Sequence, residues 1–407
     1  MGVPKGPMRV PLELGAKLMC RWRGEEYKSC EIIERKQKSL PDGTTDPSGE
    51  WEYYVHYEGL NRRLDEWVGL ERFDLGSVND DGKVTRNSTN KRKHEHEEHE
   101  EEGELDLATL KEHEEATKVK NISRIVMGKW KMETWYFSPF PKEYSKSEML
   151  YICEYDLNFF ARREQLDRYI QTKCRYFHPP GDEIYRETKV INGEEHNIAI
   201  FEVDPQYQRA YCENLCLLAK LFLDHKTLYY DVDPFLFYVL CEVGADGGHR
   251  IAGYFSKEKT SSEHNNIACI LVLPQHQRKG YSKLLIDCAY QISIREAKVG
   301  SPEKPLSDLG LLSFRSYWTQ ILLQTLSDHR GNLSVKEISM MTSITTDDII
   351  STLQSLNLIK YWKGQHVISV SPKIVDEHLK LHPPGTSLRC DPSKLTWQPP
   401  AEDALDK

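Results

Sequence analysis

The sequence predicts a multidomain chain: a small N-terminal β-barrel, then a larger mixed α/β domain that ends in a winged-helix-like subdomain. Three observations carry that prediction. Short β-rich runs separated by turn residues fill residues 14–75. A stretch dense in charge and poor in apolar residues follows at 76–118. From Asn121 onward the chain is aromatic-rich and apolar strand-like runs alternate with helical periodicity. At 407 residues the chain is also too long for one ordinary core.

In the first region, Ala16–Trp22, Ser29–Arg35 and Trp51–Tyr57 are rich in β-formers, and Pro41-Asp42-Gly43 and Asp46-Pro47-Ser48-Gly49 supply turns between them. Within Trp51–Tyr57 the alternate residues Tyr53, Val55 and Tyr57 share one face. A short helix is expected near Asn61–Arg72. Residues 1–13 read as an arm. Residues 76–118 carry Lys91-Arg92-Lys93 and the acidic run Glu95–Glu102, with too little apolar surface to offset chain entropy, so a solvated, disordered linker is expected. The basic triplet has the form of a nuclear import signal, although such clusters also occur as plain solvated charge.

Further on, Ile267–Leu273 is a continuous apolar run stopped by Pro274, the pattern of a strand buried on both faces. A helix should follow, because Tyr281, Leu284, Leu285, Cys288, Ala289 and Ile292 recur at helical spacing, closed by Gly300 and Pro302. Two more helices, near Val335–Met341 and Thr346–Leu356, precede a Tyr361–Val370 hairpin turning at Lys363-Gly364. That order suggests the winged-helix-like subdomain. Residues 398–407 read as a tail.

Composition narrows the function. Hydrophobic residues are 39% and charged residues 29% of the chain, as in ordinary globular proteins. A net charge of −9 argues against a protein that coats nucleic acid with a uniformly basic surface. The start of the chain has no apolar core of a secretory signal, and the longest apolar runs, Phe235–Cys241 and Ile267–Leu273, are too short to span a bilayer. No membrane association is expected. Ten cysteines without a paired framework point to a reducing compartment.

The most informative segment is the strand, turn and helix around Gln277-Arg278-Lys279-Gly280-Tyr281-Ser282-Lys283. A helix N-terminus offers unpaired N–H groups and a partial positive charge, which suit a pyrophosphate. Gly280 permits close backbone approach, while Arg278, Lys279 and Lys283 add cationic charge. A plain basic turn between strand and helix has the same residues, and on spacing alone the two readings stand level.

Gln277-Arg278-Lys279-Gly280-Tyr281-Ser282 resembles the Q-R-x-G-x-G acetyl-CoA loop of GNAT-related acetyltransferases. Other long words narrow the resemblance to the MYST family of histone acetyltransferases. They are Glu133-Thr134-Trp135-Tyr136-Phe137-Ser138-Pro139-Phe140-Pro141, His178-Pro179-Pro180-Gly181-Asp182-Glu183-Ile184-Tyr185, Phe222 through Asp231, Gly253-Tyr254-Phe255-Ser256-Lys257-Glu258-Lys259, and Pro302-Glu303-Lys304-Pro305-Leu306-Ser307-Asp308-Leu309-Gly310. They run in the family's order between Asn121 and Trp397. The barrel ahead of them is similar to the chromo-barrel (tudor-knot) domain of the branch containing yeast and plant nucleosomal acetyltransferases.

The resemblance implies a GNAT-like acyltransferase core at about 181–315. A zinc-finger-like module should precede it at about 148–180, and the winged-helix-like part should span about 316–397, all within a 119–397 domain behind the 14–75 barrel. It implies acetyl-CoA as cosubstrate and core histones or nucleosomes as partners. It also implies a nuclear setting in chromatin and transcription, with DNA repair a further role, and membership of a multiprotein complex. Free lysine has a pKa of about 10.4 and cannot attack a thioester as ammonium, so an acetyltransferase of lysine needs a base. Glu303 matches the family's catalytic glutamate and Cys269 its active-site cysteine; direct attack by lysine, with Cys269 secondary, is the expected route. Backbone groups of Ile270, Leu271 and Val272 match those holding the acetyl and pantetheine end. Gln277, Arg278, Lys279, Gly280, Tyr281, Ser282 and Lys283 match the pyrophosphate cradle, Ser307 and Ser316 match later cofactor contacts, and Lys226 matches an autoacetylated lysine.

The sequence departs from the family in places. Val272 stands where threonine is usual, and Ser282 replaces the second loop glycine. In the finger, Cys153 and Cys174 remain, but Asp156 and Tyr169 take the other two ligand positions. Zinc wants four good N or S ligands in a structural site, so no metal is expected, with apolar packing around Phe159, Phe160 and Leu166 in its place. The barrel aromatics Trp22, Tyr53, Tyr54, Tyr57 and Trp67 suit either methyl-lysine binding by cation–π attraction or core packing. Arg21, Arg23, Arg62 and Arg63 suit DNA or RNA. A chromatin adaptor with weak catalysis is the alternative reading, resting on Ser282 and the altered finger.

Overall fold

The computed structural model describes residues 10–38, 46, 49–76, 117–144, 147, 149–191, 193–224, 226, 231–329, 333–362, 365–368, 372–381 and 387–399. The expected linker, its import-signal triplet, the expected turn at Lys363-Gly364, most of the N-terminal arm and the end of the tail lie outside these residues. The chain divides into two compact units, one holding the N-terminal barrel with Thr134–Pro139, the other holding Ile122–Glu133 and everything from Phe140.

In the first unit, β1 (Lys17–Arg21), β2 (Tyr27–Gln37), β3 (Trp51–Tyr57), β4 (Glu66–Gly69) and β5 (Phe73–Asp74) form one sheet in the order β4-β3-β2-β1-β5. Its pairings are antiparallel. Tyr53, Val55 and Tyr57 share the inner face with Leu18, Cys20, Cys30, Ile32, Val68 and Phe73, as the alternation predicts. The helix expected at Asn61–Arg72 is instead two 3-10 turns, Arg62–Leu64 and Leu70–Arg72, on either side of β4. The reason is pairing: Trp67 and Val68 fit a pleated surface, and their backbone satisfies β3, with Tyr54 opposite Trp67 and Tyr53 opposite Val68. Asn61 caps the first turn through the Arg63 N–H at 3.0 Å, and its side-chain oxygen also accepts from Tyr136 at 2.6 Å.

The second unit begins with β6 (Arg124–Met127), β7 (Trp130–Glu133), β8 (Met149–Ile152) and β9 (Phe159–Phe160), a sheet ordered β7-β6-β8-β9, followed by helix α1 (Arg163–Thr172). Next come β10 (Asp182–Ile191), β11 (Glu194–Val203), helix α2 (Pro205–Lys220), β12 (Phe235–Val243) and β13 (His249–Glu258). The apolar run after them is not one strand. It splits into β14 (Asn265–Ile267) and β15 (Cys269–Val272), with a break at Ala268. β15 pairs antiparallel with β13 and forms the edge of the sheet β10-β11-β12-β13-β15. β14 turns away to pair in parallel with β16 (Ser301–Pro302).

Helix α3 (Tyr281–Arg295) packs its apolar face into the core through Leu284, Leu285, Cys288, Ala289 and Ile292. It stops five residues before Gly300. Helix α4 (Asp308–Asp328) was not foreseen; it buries Phe314, Trp318, Leu322 and Leu323 in the same core. The C-terminal elements are α5 (Val335–Thr342), α6 (Thr346–Ser355), the hairpin β17 (Ile359–Trp362) and β18 (Gln365–Ile368), and α7 (Pro372–Leu381). This helix-helix-hairpin order is the winged-helix-like arrangement read from the sequence. Leu388, Leu395 and Trp397 return the chain to the core, where the Thr396 N–H donates to Ile184 at 2.8 Å.

Candidate active site

The break at Ala268 builds the site. The N–H of Ala268 donates to the Ser256 carbonyl at 2.8 Å, and the N–H of Cys269 donates to the Ser256 hydroxyl at 3.2 Å. One residue of β13 therefore holds both sides of the break. The backbone of Glu303 is tied to the same place, its N–H donating to the Ile267 carbonyl at 2.8 Å. Cys269 and Glu303, thirty-four positions apart in sequence, thus face one pocket.

That pocket is also lined by Lys226, Cys216, Ser256 and Ser307. The Lys226 ammonium donates to the Cys269 sulfur at 3.5 Å. Cys269 and Ile270 are half-buried, whereas Leu271 and Val272 are buried. The expectation of a strand covered on both faces therefore fails at Cys269 and Ile270, because there the strand borders the pocket. Glu303 is an exposed residue at the pocket, yet the partial desolvation of its carboxyl pushes it above its ordinary value, and the nearby Glu258 and Glu263 charges add to this, while Lys226 opposes it. A carboxylate raised in this way is a better proton acceptor at neutral pH.

At the other end of β15 the turn residues take unusual backbone shapes. Arg278 has φ +66° and Gly280 has φ +87°, both left-handed. Glycine adopts that region at no steric cost, which explains Gly280 just ahead of the helix. Among the described residues no side chain caps α3, which leaves its first-turn N–H groups without a side-chain partner, a feature that suits an anion. The Gln277 side chain donates to the Val272 carbonyl at 3.1 Å and ties the turn to the strand. Ser282 is the second residue of α3, in helical backbone where a glycine is not required. The Tyr281 ring is buried and its hydroxyl donates to Glu242 at 2.7 Å, so only its backbone is available to a ligand in the turn. The Lys279 ammonium also lies on Glu242, at 2.7 Å. Burial pushes the Lys283 amine below its ordinary value, with Arg389 adding to the effect.

Ser307 is the N-cap of α4, its hydroxyl accepting from the Gly310 N–H at 3.0 Å, and both residues line the pocket. Ser316 sits farther along α4, half-buried, and is not among the pocket residues. Two participants escaped the sequence reading. Ser256 lies in a word used for recognition and was given no role. Glu242 has no local signal, because its three partners come thirty-four to thirty-nine positions later.

In the finger module the Cys153 and Cys174 sulfurs are 3.8 Å apart, and with Asp156 their ligand atoms lie within 4.8 Å of one another. The Asp156 carboxylate, however, already accepts from the Tyr169 hydroxyl at 2.5 Å and from the Asn158 N–H at 3.2 Å. The module's small core gathers Cys153, Tyr155, Leu166, Phe160 and Tyr169. Phe160 and Leu166 are where the sequence reading puts them, whereas Phe159 packs on Phe140 and Tyr144. Among the described residues the module gathers three candidate ligands, one of them an already hydrogen-bonded carboxylate, against the four N or S donors of a structural zinc site.

In the barrel, Tyr53, Tyr54 and Tyr57 are buried. Trp22 has Arg23 over its ring at 5.0 Å and Trp67 has the Lys36 ammonium at 4.3 Å. The aromatic faces named from the sequence are thus either core or covered by the chain's own cations.

Comparison with known proteins accounts for most of the chain. Residues 178–395 match the model of the MOZ/SAS family, residues 119–174 that of the MYST family zinc finger domain, and residues 12–75 that of the tudor-knot, described as an RNA binding activity-knot of a chromodomain. The chain is 53% identical over 404 residues to histone acetyltransferase of the MYST family 1 from Arabidopsis thaliana, covering 97% of this chain and 87% of that protein. It is 41% identical over 425 residues to histone acetyltransferase ESA1 from Saccharomyces cerevisiae, covering 93% and 91%.

Proposed function

The chain belongs to the MYST family of histone acetyltransferases, and from that premise we propose that it moves the acetyl group of acetyl-CoA to the ε-amine of lysines on core-histone tails, histone four foremost, with Glu303 as general base. The observation that carries this reading is the convergence of Glu303 and Cys269 on one pocket, at the end of an edge strand whose other end leads into an anion-ready helix N-terminus.

In this mechanism acetyl-CoA supplies an acyl carbon activated as a thioester. The edge of β15, at Ile270, Leu271 and Val272, takes the acetyl and pantetheine end, since an edge strand has backbone groups left to pair. The turn from Gln277 to Lys283 takes the pyrophosphate, Ser307 lies beside the reacting end, and Ser316 is a distal contact. Glu303 accepts a proton from the substrate ammonium, the free amine attacks the thioester carbon directly, and the C–S bond then breaks to release coenzyme A as a thiolate that takes up the second proton lost by the amine. The pocket's acidic residues, Asp224, Asp231, Glu258 and Glu303, favour a cationic tail over a neutral one. Cys269 shapes the acyl site without being acetylated. Lys226, inside the same pocket, is the proposed autoacetylation site.

The finger is proposed to hold no zinc, with the Tyr169–Asp156 hydrogen bond and the apolar cluster in the metal's place. We assign residues 14–75 to the barrel and 119–397 to the acetyltransferase domain, acting in the nucleus on nucleosomes within a larger assembly. The covered tryptophans and buried tyrosines support a barrel that contacts nucleic acid rather than caging methyl-lysine.

The test is transfer of labelled acetyl from acetyl-CoA to purified core histones. Label on histone lysines is expected; no label from a protein that binds acetyl-CoA normally would refute the reading.

A further inference from the structure

Glu242 is the next-to-last residue of β12 and meets the turn that joins β15 to α3. One of its carboxylate oxygens accepts from the His276 ring at 3.1 Å, the Lys279 ammonium at 2.7 Å and the Tyr281 hydroxyl at 2.7 Å. These three residues come from the 3-10 turn Pro274–His276, the loop itself and the first position of α3. A single atom therefore ties down every part of the phosphate-side turn. Arg250, opposite Glu242 across β13, does not compete, since its guanidinium lies on Asp246 at 2.9 Å and on Glu154 at 3.2 Å. Around Glu242, His196 approaches the Tyr281 hydroxyl at 3.4 Å and Trp130 packs edge-on against His276.

We propose that Glu242 is a positioning residue for acetyl-CoA, holding the turn in its phosphate-receiving shape by gathering His276, Lys279 and Tyr281. Charge-assisted bonds of this kind are the strong ones, and a turn with two left-handed residues in three needs an external tether. The arrangement also assigns the loop's cations. Lys279 is spent on the protein, so Arg278 and Lys283 are the side chains left for the phosphates. Burial pushes the Glu242 carboxyl up, but the bonds from His276, Lys279 and Tyr281 outweigh it and hold the group well below the usual carboxylate range. The tether is thus charged throughout the working pH range.

This inference rests on the acetyl-CoA reading above, and its test keeps the two apart. Coenzyme A binding is measured by calorimetry, and steady-state kinetics on a histone peptide are measured alongside. Glu242→Gln should raise the coenzyme A Kd and the acetyl-CoA KM about tenfold, the worth of one charge-assisted bond, with kcat and the peptide KM little changed. Tyr281→Phe, which removes one of the three donors, should give a smaller rise in the same direction; it decides the matter if Glu242→Gln fails to fold. A purely structural residue would instead lower kcat and folded yield together. Unchanged or tighter coenzyme binding in both variants would overturn the proposal, since Glu242 would then merely withhold Lys279 from the phosphates. A wild-type protein that binds no coenzyme A would overturn the acetyl-CoA reading itself, and this inference with it.

Discussion

The Lys226 ammonium lies 3.5 Å from the Cys269 sulfur, and both face the pocket that holds Glu303. A cation, a thiol and a raised carboxylate thus share one site, and each can be removed separately.

Removing the carboxylate should be the most damaging change. Glu303→Gln is expected to lower turnover by about 10²–10⁴, the range for loss of a general base, with acetyl-CoA binding retained. Rates measured under saturating acetyl-CoA check this; wild-type turnover would remove Glu303 from the role.

The same variant should be more stable than the wild type. Partial desolvation and like charges raise the pKa of this exposed residue's carboxyl in the fold, so its ionised form is modestly disfavoured there. A group raised in this way stabilises the fold only while protonated, and that benefit is lost as pH rises through its folded pKa. Glu303→Gln removes the ionised form, so Tm at pH 7 should rise, with the gain shrinking as the pH is lowered into the acid range. A lower Tm at pH 7 contradicts the electrostatic picture.

Lys226 holds the Glu303 carboxyl down against those influences. Lys226→Gln should therefore move the acid limb of the kcat/KM profile to higher pH. An acid limb that stays put would show that the cation does not reach the base.

Cys269→Ala should leave turnover within about tenfold, a barrier change of roughly 1.4 kcal/mol, because the amine attacks the thioester directly. A loss of several orders of magnitude would instead assign Cys269 a covalent step.

In the finger, the protein should purify with far less than one zinc per chain, and a chelator should leave its unfolding temperature unchanged. Tyr169→Phe should cost about 1–3 kcal/mol, since it strips a partner from a partly buried carboxylate. Stoichiometric zinc by atomic spectroscopy would contradict this account.

Much of this architecture was legible in the sequence, for identifiable reasons. The barrel strands and α3 announce themselves through period-two and helical spacing, and the cofactor turn through Gly280 and its basic neighbours. Local patterning misled at Asn61–Arg72, where pairing of Trp67 and Val68 with β3 outweighs helical tendency. It also misled at Ile267–Leu273, where an unbroken apolar run conceals the break at Ala268 that makes the pocket. Helix α4 is apolar on most of its circumference, so its periodicity is faint. The Glu242 tether could not be found locally at all, because the sheet brings that residue to the turn.

The central claim is that Glu303 takes the proton of a lysine held against a thioester whose phosphates rest on the start of α3. A crystal structure with coenzyme A and a lysine peptide bound tests it most directly. The predicted result has the Glu303 carboxylate within about 2.6–3.2 Å of the lysine nitrogen, or one water away, with the pyrophosphate against the N–H groups that follow Gln277. A coenzyme seated elsewhere, or a Glu303 side chain turned out of the pocket, would contradict it.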